Sequence, residues 1–168
     1  MLAHSWSASL SARHLPMAPT RRRAQPDDVA FLEAIFLTSM REAITAARGY
    51  WDPANEGAQF RQQLELEGTE VIQSAGSDVG FVSARRGPDA IVVHTVCVAE
   101  EHRGRGLGSE IMRQFMAEAA AAGASIEVFV LKANPRARAL YARLGFADAD
   151  QLSHHFRMTW PVAGQLER

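Results

Sequence analysis

Six residues, Arg103 to Gly108, alternate glycine with larger side chains between two segments of opposite pattern. The segment before them, Ile91 to Val98, is rich in β-branched residues, and the segment from Ser109 onward is amphipathic. Alternating glycines let the backbone turn sharply, so that successive N–H groups point into one concavity at a helix start. The N–H donors, the positive helix end and flanking arginines all favour an anion. We therefore predict a strand, a diphosphate-binding loop and a helix here.

Length and composition limit the number of domains and the kinds of partner. A chain of 168 residues that is 47% apolar and 22% charged has the size of one domain with one core. Its net charge of −1 gives no reason to expect a nucleic acid or an anionic membrane surface as partner. No apolar run approaches the roughly 18 residues that span a bilayer.

The only cysteine, Cys97, lies in the middle of a strand-like run. Disulfides within the chain are therefore excluded, and we expect a cytoplasmic location, where thiols are tolerated. An apolar strand position indicates packing rather than a nucleophile.

Start and stop signals divide the rest of the chain into helices and short strands. Asp27 or Asp28 begins a first helix that ends near Gly49, and a second helix follows Pro53 and ends before Gly68. Besides the strand before the loop, alternating or β-branched runs predict strands near residues 22–25, 71–73, 79–82, 126–131 and 154–160. The strand, helix, strand crossover at the loop should be parallel and right-handed.

A second motif lies about thirty residues after the loop. Asn134 and Pro135 mark a helix start and Gly145 its end. The stretch from Asn134 to Phe146 reads N-x-x-A-x-x-L-Y-x-x-x-G-F, whereas the loop reads R-x-x-G-x-G. In this order the two motifs resemble those of the GCN5-related N-acetyltransferase (GNAT) superfamily over roughly residues 20 to 160. A dinucleotide-binding fingerprint requires a different glycine spacing, G-x-G-x-x-G.

The resemblance implies an α/β fold with a mixed, mostly antiparallel central sheet flanked by helices. Its element order would be a strand, two helices, three strands, a helix, a strand, a helix and two strands. We expect this single acetyltransferase domain over residues 21–163. Residues 1–20 would form a disordered extension. Residues 1–26, which contain no acidic residue but carry Arg13, Arg21, Arg22 and Arg23, also resemble a transit peptide in composition, but Met17 offers an internal start.

The resemblance also implies acetyl-CoA as cosubstrate. In that family the glycine loop binds pyrophosphate, which here assigns Arg103, Gly104, Arg105, Gly106, Leu107, Gly108 and Ser109 to the cofactor. A slot between two splayed strands would hold the pantetheine arm along the backbone of Val96 and Val98. Asn134 could bind the same arm, act as a helix cap, or do both.

Two residues are candidates for moving protons. The resemblance places Tyr141 as general acid toward the departing thiolate. Full transfer from a phenol of pKa 10 to a thiolate of pKa 8.5 is uphill by roughly 2 kcal/mol, so a hydrogen bond or a lowered phenol pKa is favoured. His94 resembles a base-like histidine of arylalkylamine acetyltransferases and is predicted to share a strand face with Val96 and Val98. Glu100, Glu101 or a water relay are the alternatives.

The sequence indicates fewer residues for the site of the acceptor amine than for the site of acetyl-CoA. Tyr50, Trp51 and Asp52 fall between the first two helices, in the segment that roofs the acceptor site in this family, and an aromatic side chain beside a carboxylate suits a cationic amine. His154 and His155 lack partners at metal-ligand spacing, so we expect no metal site.

These features predict an N-acetyltransferase that moves an acetyl group from acetyl-CoA to a primary amine, either a small molecule or a protein N-terminus. The amine would attack directly in a ternary complex. The alternative is a non-catalytic acyl-CoA-binding sensor of the same fold. The oligomeric state is open, with a homodimer as one option.

Overall fold

A single sheet of seven strands organises residues 18–161, the part of the chain that the structure, a computed structural model, describes. The strands are β1 Thr20–Arg23, β2 Thr69–Ser74, β3 Ser77–Arg86, β4 Ala90–Val98, β5 Ser125–Leu131, β6 Ala147–Gln151 and β7 His155–Trp160. The helices are α1 Val29–Arg48, α2 Pro53–Gln63, α3 Leu107–Ala122 and α4 Pro135–Arg143. Residues 1–17, which include most of the predicted N-terminal extension, lie outside the described part.

The strands lie in the order β1-β2-β3-β4-β5-β7-β6. Only the β4–β5 pair is parallel, and every other neighbouring pair is antiparallel. The parallel pair is joined through α3, so the parallel crossover predicted from the glycine loop is confirmed, as is the mixed, mostly antiparallel sheet, whereas its right-handed sense stays a prediction. Among the helices between residues 18 and 161, none is long and apolar enough to cross a membrane.

β4 contains a bulge at His94. Thr95 pairs with Ser83 and Val93 with Ala84, which leaves His94 without a partner in β3. The pairing of β4 with β5 also ends at Val93. A bulge bends its strand and increases the local twist. β4 therefore separates from β5 beyond this point, and the gap between them agrees with the slot that the family resemblance implied.

Apolar clusters cover both faces of the sheet. On one face, Ile111 and Phe115 of α3 are buried against the central strands. On the other face, Leu32 of α1 is buried, and Phe36 of α1 stacks on Phe60 of α2 with ring centroids 4.7 Å apart. The helices are therefore held by core packing on opposite sides, and the slot lies between these two layers.

Local signals explain most helix ends, with some corrections. Of the two predicted caps, Asp27 and Asp28, Asp28 occupies the N-cap position of α1, but its carboxylate does not cap the helix: it accepts from the Gln25 N–H at 2.7 Å and binds Arg22. α2 ends at Gln63, earlier than expected, because residues 66–68 form a separate 3-10 turn. The left-handed Gly49 ends α1 as predicted, with φ of 81°.

Candidate active site

The glycine loop turns at Gly104 and Gly106, whose φ angles of 73° and 79° lie in the left-handed region. In the described part of the chain, a β-carbon added at either glycine would meet no heavy atom within 4 Å. The loop surface is therefore open at both positions. α3 begins at Leu107, two residues before the predicted start, so that Gly108 and Ser109 belong to its first turn.

The N–H groups of residues 104–109 are free donors. Within residues 18–161, none of these six groups donates to a protein acceptor, and the first amide of the helix that does is Glu110, at 3.0 Å from the Gly106 carbonyl. The first turn of a helix leaves its N–H groups unpaired, and the helix dipole adds positive partial charge there. This donor set fits a pyrophosphate.

Arg103 links the loop to β4 and α1. Its Nε donates to the Val98 carbonyl at 2.9 Å, and its Nη2 donates to the Ser39 hydroxyl at 3.0 Å. The Ser39 hydroxyl also lies 3.4 Å from the same carbonyl. The guanidinium expected on phosphate is thus bonded to the protein, whereas the Arg105 side chain is exposed. Phosphate contact by either arginine stays a prediction.

The backbone of β4 presents hydrogen-bonding groups to the slot. The Ala99 N–H donates to the Val79 carbonyl at 2.8 Å, which fixes the alternation of the ladder between β3 and β4. The groups of Cys97 therefore point to β3, and those of Val96 and Val98 point to the opposite edge. Because the Val98 carbonyl accepts from Arg103, the Val98 N–H and both groups of Val96 remain available to a ligand in the slot, and their contact with pantetheine stays a prediction.

One cavity of about 590 Å³ joins the loop to the slot. Its volume lies in the range of small-molecule sites, roughly 300–1,000 Å³. All but Arg105 of the residues predicted to bind the cofactor line it, together with the predicted acid Tyr141: Val96, Val98, Arg103, Gly104, Gly106, Leu107, Gly108, Ser109 and Asn134.

Tyr141 lies half-buried in this cavity and packs against the core, with its ring edge-on to Phe146 at 5.5 Å between centroids. Burial, and secondarily the neighbouring Cys97, raises the pKa of Tyr141 to about 12. The lowered phenol pKa considered above is therefore wrong for this environment. Full proton transfer to a thiolate of pKa 8.5 would cost about 5 kcal/mol. A neutral phenol can still donate a hydrogen bond, and the role of Tyr141 as general acid stays a prediction.

Cys97 is buried, and that burial raises the pKa of its thiol to about 12, partly offset by Ser39 and Arg103. The neutral thiol agrees with the packing role predicted for this cysteine.

Asn134 caps α4. Its Oδ1 accepts from the Ala137 N–H at 3.0 Å, and Pro135 follows at the first helical position, as predicted. The cap uses only the carbonyl oxygen of the side chain. Because Asn134 also lines the cavity, its NH2 group is left to bind a ligand there.

His94 does not line the cavity; its side chain is exposed at the bulge. The predicted shared face with Val96 and Val98 assumed regular alternation along β4. Val93 and Val96, three residues apart, instead pack into the same core cluster, so the alternation is broken between them. The structure therefore does not bring the predicted base to the predicted acid.

The predicted acceptor residues also lie outside this cavity. Tyr50 is 58% exposed, Trp51 is half-buried, and the Asp52 carboxylate caps α2 by accepting from the Asn55 N–H at 3.1 Å. α1 lines the cavity instead, through side chains that the sequence analysis did not assign to the site: Ser39, Met40, Glu42 and Ala43. The only sequence signal that could have grouped them is helical spacing, which places Ser39, Glu42 and Ala43 on one face of α1.

The open glycine loop, the split between β4 and β5 and the cavity that joins them define a protein built to hold an extended, phosphorylated ligand beside a phenol. Comparison with known proteins gives the family. The acetyltransferase (GNAT) family matches residues 37–146, more than half of the chain, and the chain belongs to this family. The resemblance seen in the two motifs is thereby confirmed, and with it acetyl-CoA, the acetyl donor of the family.

Solved structures share the fold along almost their whole length. The PaiA N-acetyltransferase from Thermoplasma acidophilum, solved with coenzyme A, is 14% identical, with a TM-score of 0.68 over 86% of this chain and 99% of that chain. An acetyltransferase from Thermus thermophilus is 20% identical, with a TM-score of 0.69 over 87% of this chain and 98% of that chain. Ard1 from Thermoplasma volcanium is 25% identical, with a TM-score of 0.58 over 86% of this chain and 98% of that chain.

Proposed function

We propose that this acetyltransferase acts on a primary amine, of a small molecule or a protein N-terminus, and that the amine attacks acetyl-CoA directly in a ternary complex. The observation that carries the proposal is the single cavity in which free loop amides, the unpaired edge of β4 and the Tyr141 phenol meet. Such an arrangement holds a long donor at one wall and leaves its acyl end beside a hydrogen-bond donor.

Acetyl-CoA supplies a thioester that is already activated toward amines. The protein has to position the reactants and move protons, and positioning is the larger contribution. The loop amides and the start of α3 hold negative charge. The backbone of Val96 continues the sheet toward the ligand, and Tyr141 donates a hydrogen bond at the position where thiolate charge develops.

Cys97 supports direct attack over transfer through the protein. Covalent transfer through a cysteine requires a thiolate, and burial keeps this thiol protonated at neutral pH. Proton removal from the amine is assigned to water in the cavity, because His94 is outside it. A bound amine loses its proton more readily when it is desolvated.

Two measurements test the proposal together. Isothermal titration with acetyl-CoA measures donor binding, and release of free thiol across a panel of primary amines measures transfer. We expect amine-dependent thiol release and initial-rate lines that intersect, as a ternary complex requires. Tight donor binding without thiol release for any amine would instead support the non-catalytic sensor.

A further inference from the structure

One carboxylate lies among the side chains that line the cavity. Glu42 of α1 contributes it, whereas the other ionisable side chains of the lining, apart from the neutral Tyr141 and Cys97, are basic: His102, Arg103, Arg136 and Arg143. Glu42 is exposed, and within residues 18–161 no lysine, arginine or histidine forms a salt bridge with it. The carboxylate is therefore available for a cation that enters the cavity.

Ser39 fixes the position of Glu42 relative to the slot. The Ser39 hydroxyl lies 3.4 Å from the Val98 carbonyl. Glu42 follows three residues later on the same helix face, about 4.5 Å further along the axis of α1. Residues of α1 pack on one face of the sheet, whereas Tyr141 packs on the other. Glu42 thus approaches the slot from the side opposite the phenol.

The chemistry of attack decides which part of an acceptor Glu42 suits. A carboxylate stabilises the charged form of a nearby amine and so raises the pKa of that amine. The attacking nitrogen has to be neutral, so an ion pair with it would oppose the reaction. Glu42 is therefore suited to a positive group of the acceptor other than the reacting nitrogen.

We propose that Glu42 binds a second cationic group of the acceptor, so that amines carrying two positive charges are preferred over monoamines. The inference rests on the proposed function, since it takes the acceptor to be an amine. Asp52, the carboxylate that the sequence favoured, does not line the cavity and already accepts the Asn55 N–H of its own helix.

The experiment measures binding of two matched probes, 1,4-diaminobutane and butylamine, to the full chain saturated with coenzyme A, by isothermal titration at low salt. We expect the wild-type protein to bind the diamine about fivefold more tightly, the upper effect of an exposed ion pair. Glu42→Gln should lose that preference. Glu67→Gln, which removes an exposed carboxylate outside the cavity lining, should keep it.

Two results would overturn the inference: equal binding of the two probes by the wild-type protein, or a preference that survives in Glu42→Gln. If the preference survived in Glu42→Gln and was lost in Asp52→Asn, the second charge would be bound by Asp52 and not by Glu42. Thermal melts of each variant check the fold. Thiol release with bound diamine is measured separately, so that failure of transfer contradicts the proposed function without altering the binding result.

Discussion

Tyr141 combines a protonated phenol with a place in the cavity lining. We expect Tyr141→Phe to lower kcat about 10- to 100-fold while the affinity for acetyl-CoA stays within about twofold, because the hydroxyl acts only where thiolate charge develops. Thiol release and isothermal titration separate the two effects. Since its pKa is raised to about 12, this phenol causes no loss of rate below about pH 10. An unchanged kcat in the phenylalanine variant would remove Tyr141 from the mechanism.

Arg103 and Arg105 should respond differently to truncation, although both flank the loop. Arg103→Ala removes two hydrogen bonds that join the loop to Val98 and Ser39, so we expect a lower melting temperature and weaker coenzyme A binding. Arg105→Ala removes an exposed charge, and we expect about fivefold weaker binding with an unchanged melt. Thermal melts and titration with coenzyme A provide the comparison. Equal melts for the two variants would contradict the role given to Arg103.

The bulge in β4 separates two possible roles for His94 that an experiment can distinguish: a general base, or an exposed side chain with no part in catalysis. Because this side chain is exposed outside the cavity, we expect His94→Gln to change kcat by less than about twofold and to leave the pH dependence of kcat unaltered. Loss in this variant of the fall in kcat on the acidic side of the pH profile would instead restore the sequence-based assignment of His94 as base.

Elements were predictable where a local signal decides them. The Asn134 cap, the left-handed Gly145 and the strand before the loop depend on neighbours in sequence, so the pattern alone predicted them. The bulge depends on pairing with β3, and the bond between Arg103 and Ser39 joins residues 64 positions apart. Such contacts exist only after the sheet has formed, which is why the faces along β4 and the contribution of α1 were not predictable.

At the scale of the whole molecule, ion pairs connect the first strand to distant parts of the fold. Arg22 of β1 binds Asp28 at 2.8 Å and Asp78 of β3 at 2.6 Å. The Arg22 guanidinium lowers the pKa of Asp28 to about 2 and also lowers the pKa of Asp78. A carboxyl whose pKa is lower in the folded than in the unfolded protein stabilises the fold at pH values above its ordinary pKa. That stability is lost as the pH falls through the pKa of the carboxyl in the folded protein.

The stability contributed by Arg22 should therefore depend on pH. We expect Arg22→Gln to reduce the free energy of unfolding by about 1 kcal/mol at pH 7, with the difference from wild type shrinking as pH falls below about 4 and lost only below about pH 2. Urea denaturation at a series of pH values measures it. Arg85→Gln, at an exposed arginine without an ion pair in the described residues, is the control. A deficit as large at pH 2 as at pH 7 would show that Arg22 stabilises the fold by packing.

The ladder between β4 and β5 spans only four residue pairs, from Ala90 with Ser125 to Val93 with Val128. Backbone pairing thus links the two halves of the sheet along a short seam, and the amide protons of Val96 and Val98 have no strand opposite them. Those protons should exchange rapidly with deuterium in the free protein and slowly once a donor lies along the gap, while protons in the seam remain protected throughout. Slow exchange in the bound protein would show that the ligand supplies the missing stretch of sheet and so couples its occupancy to the rigidity of both halves.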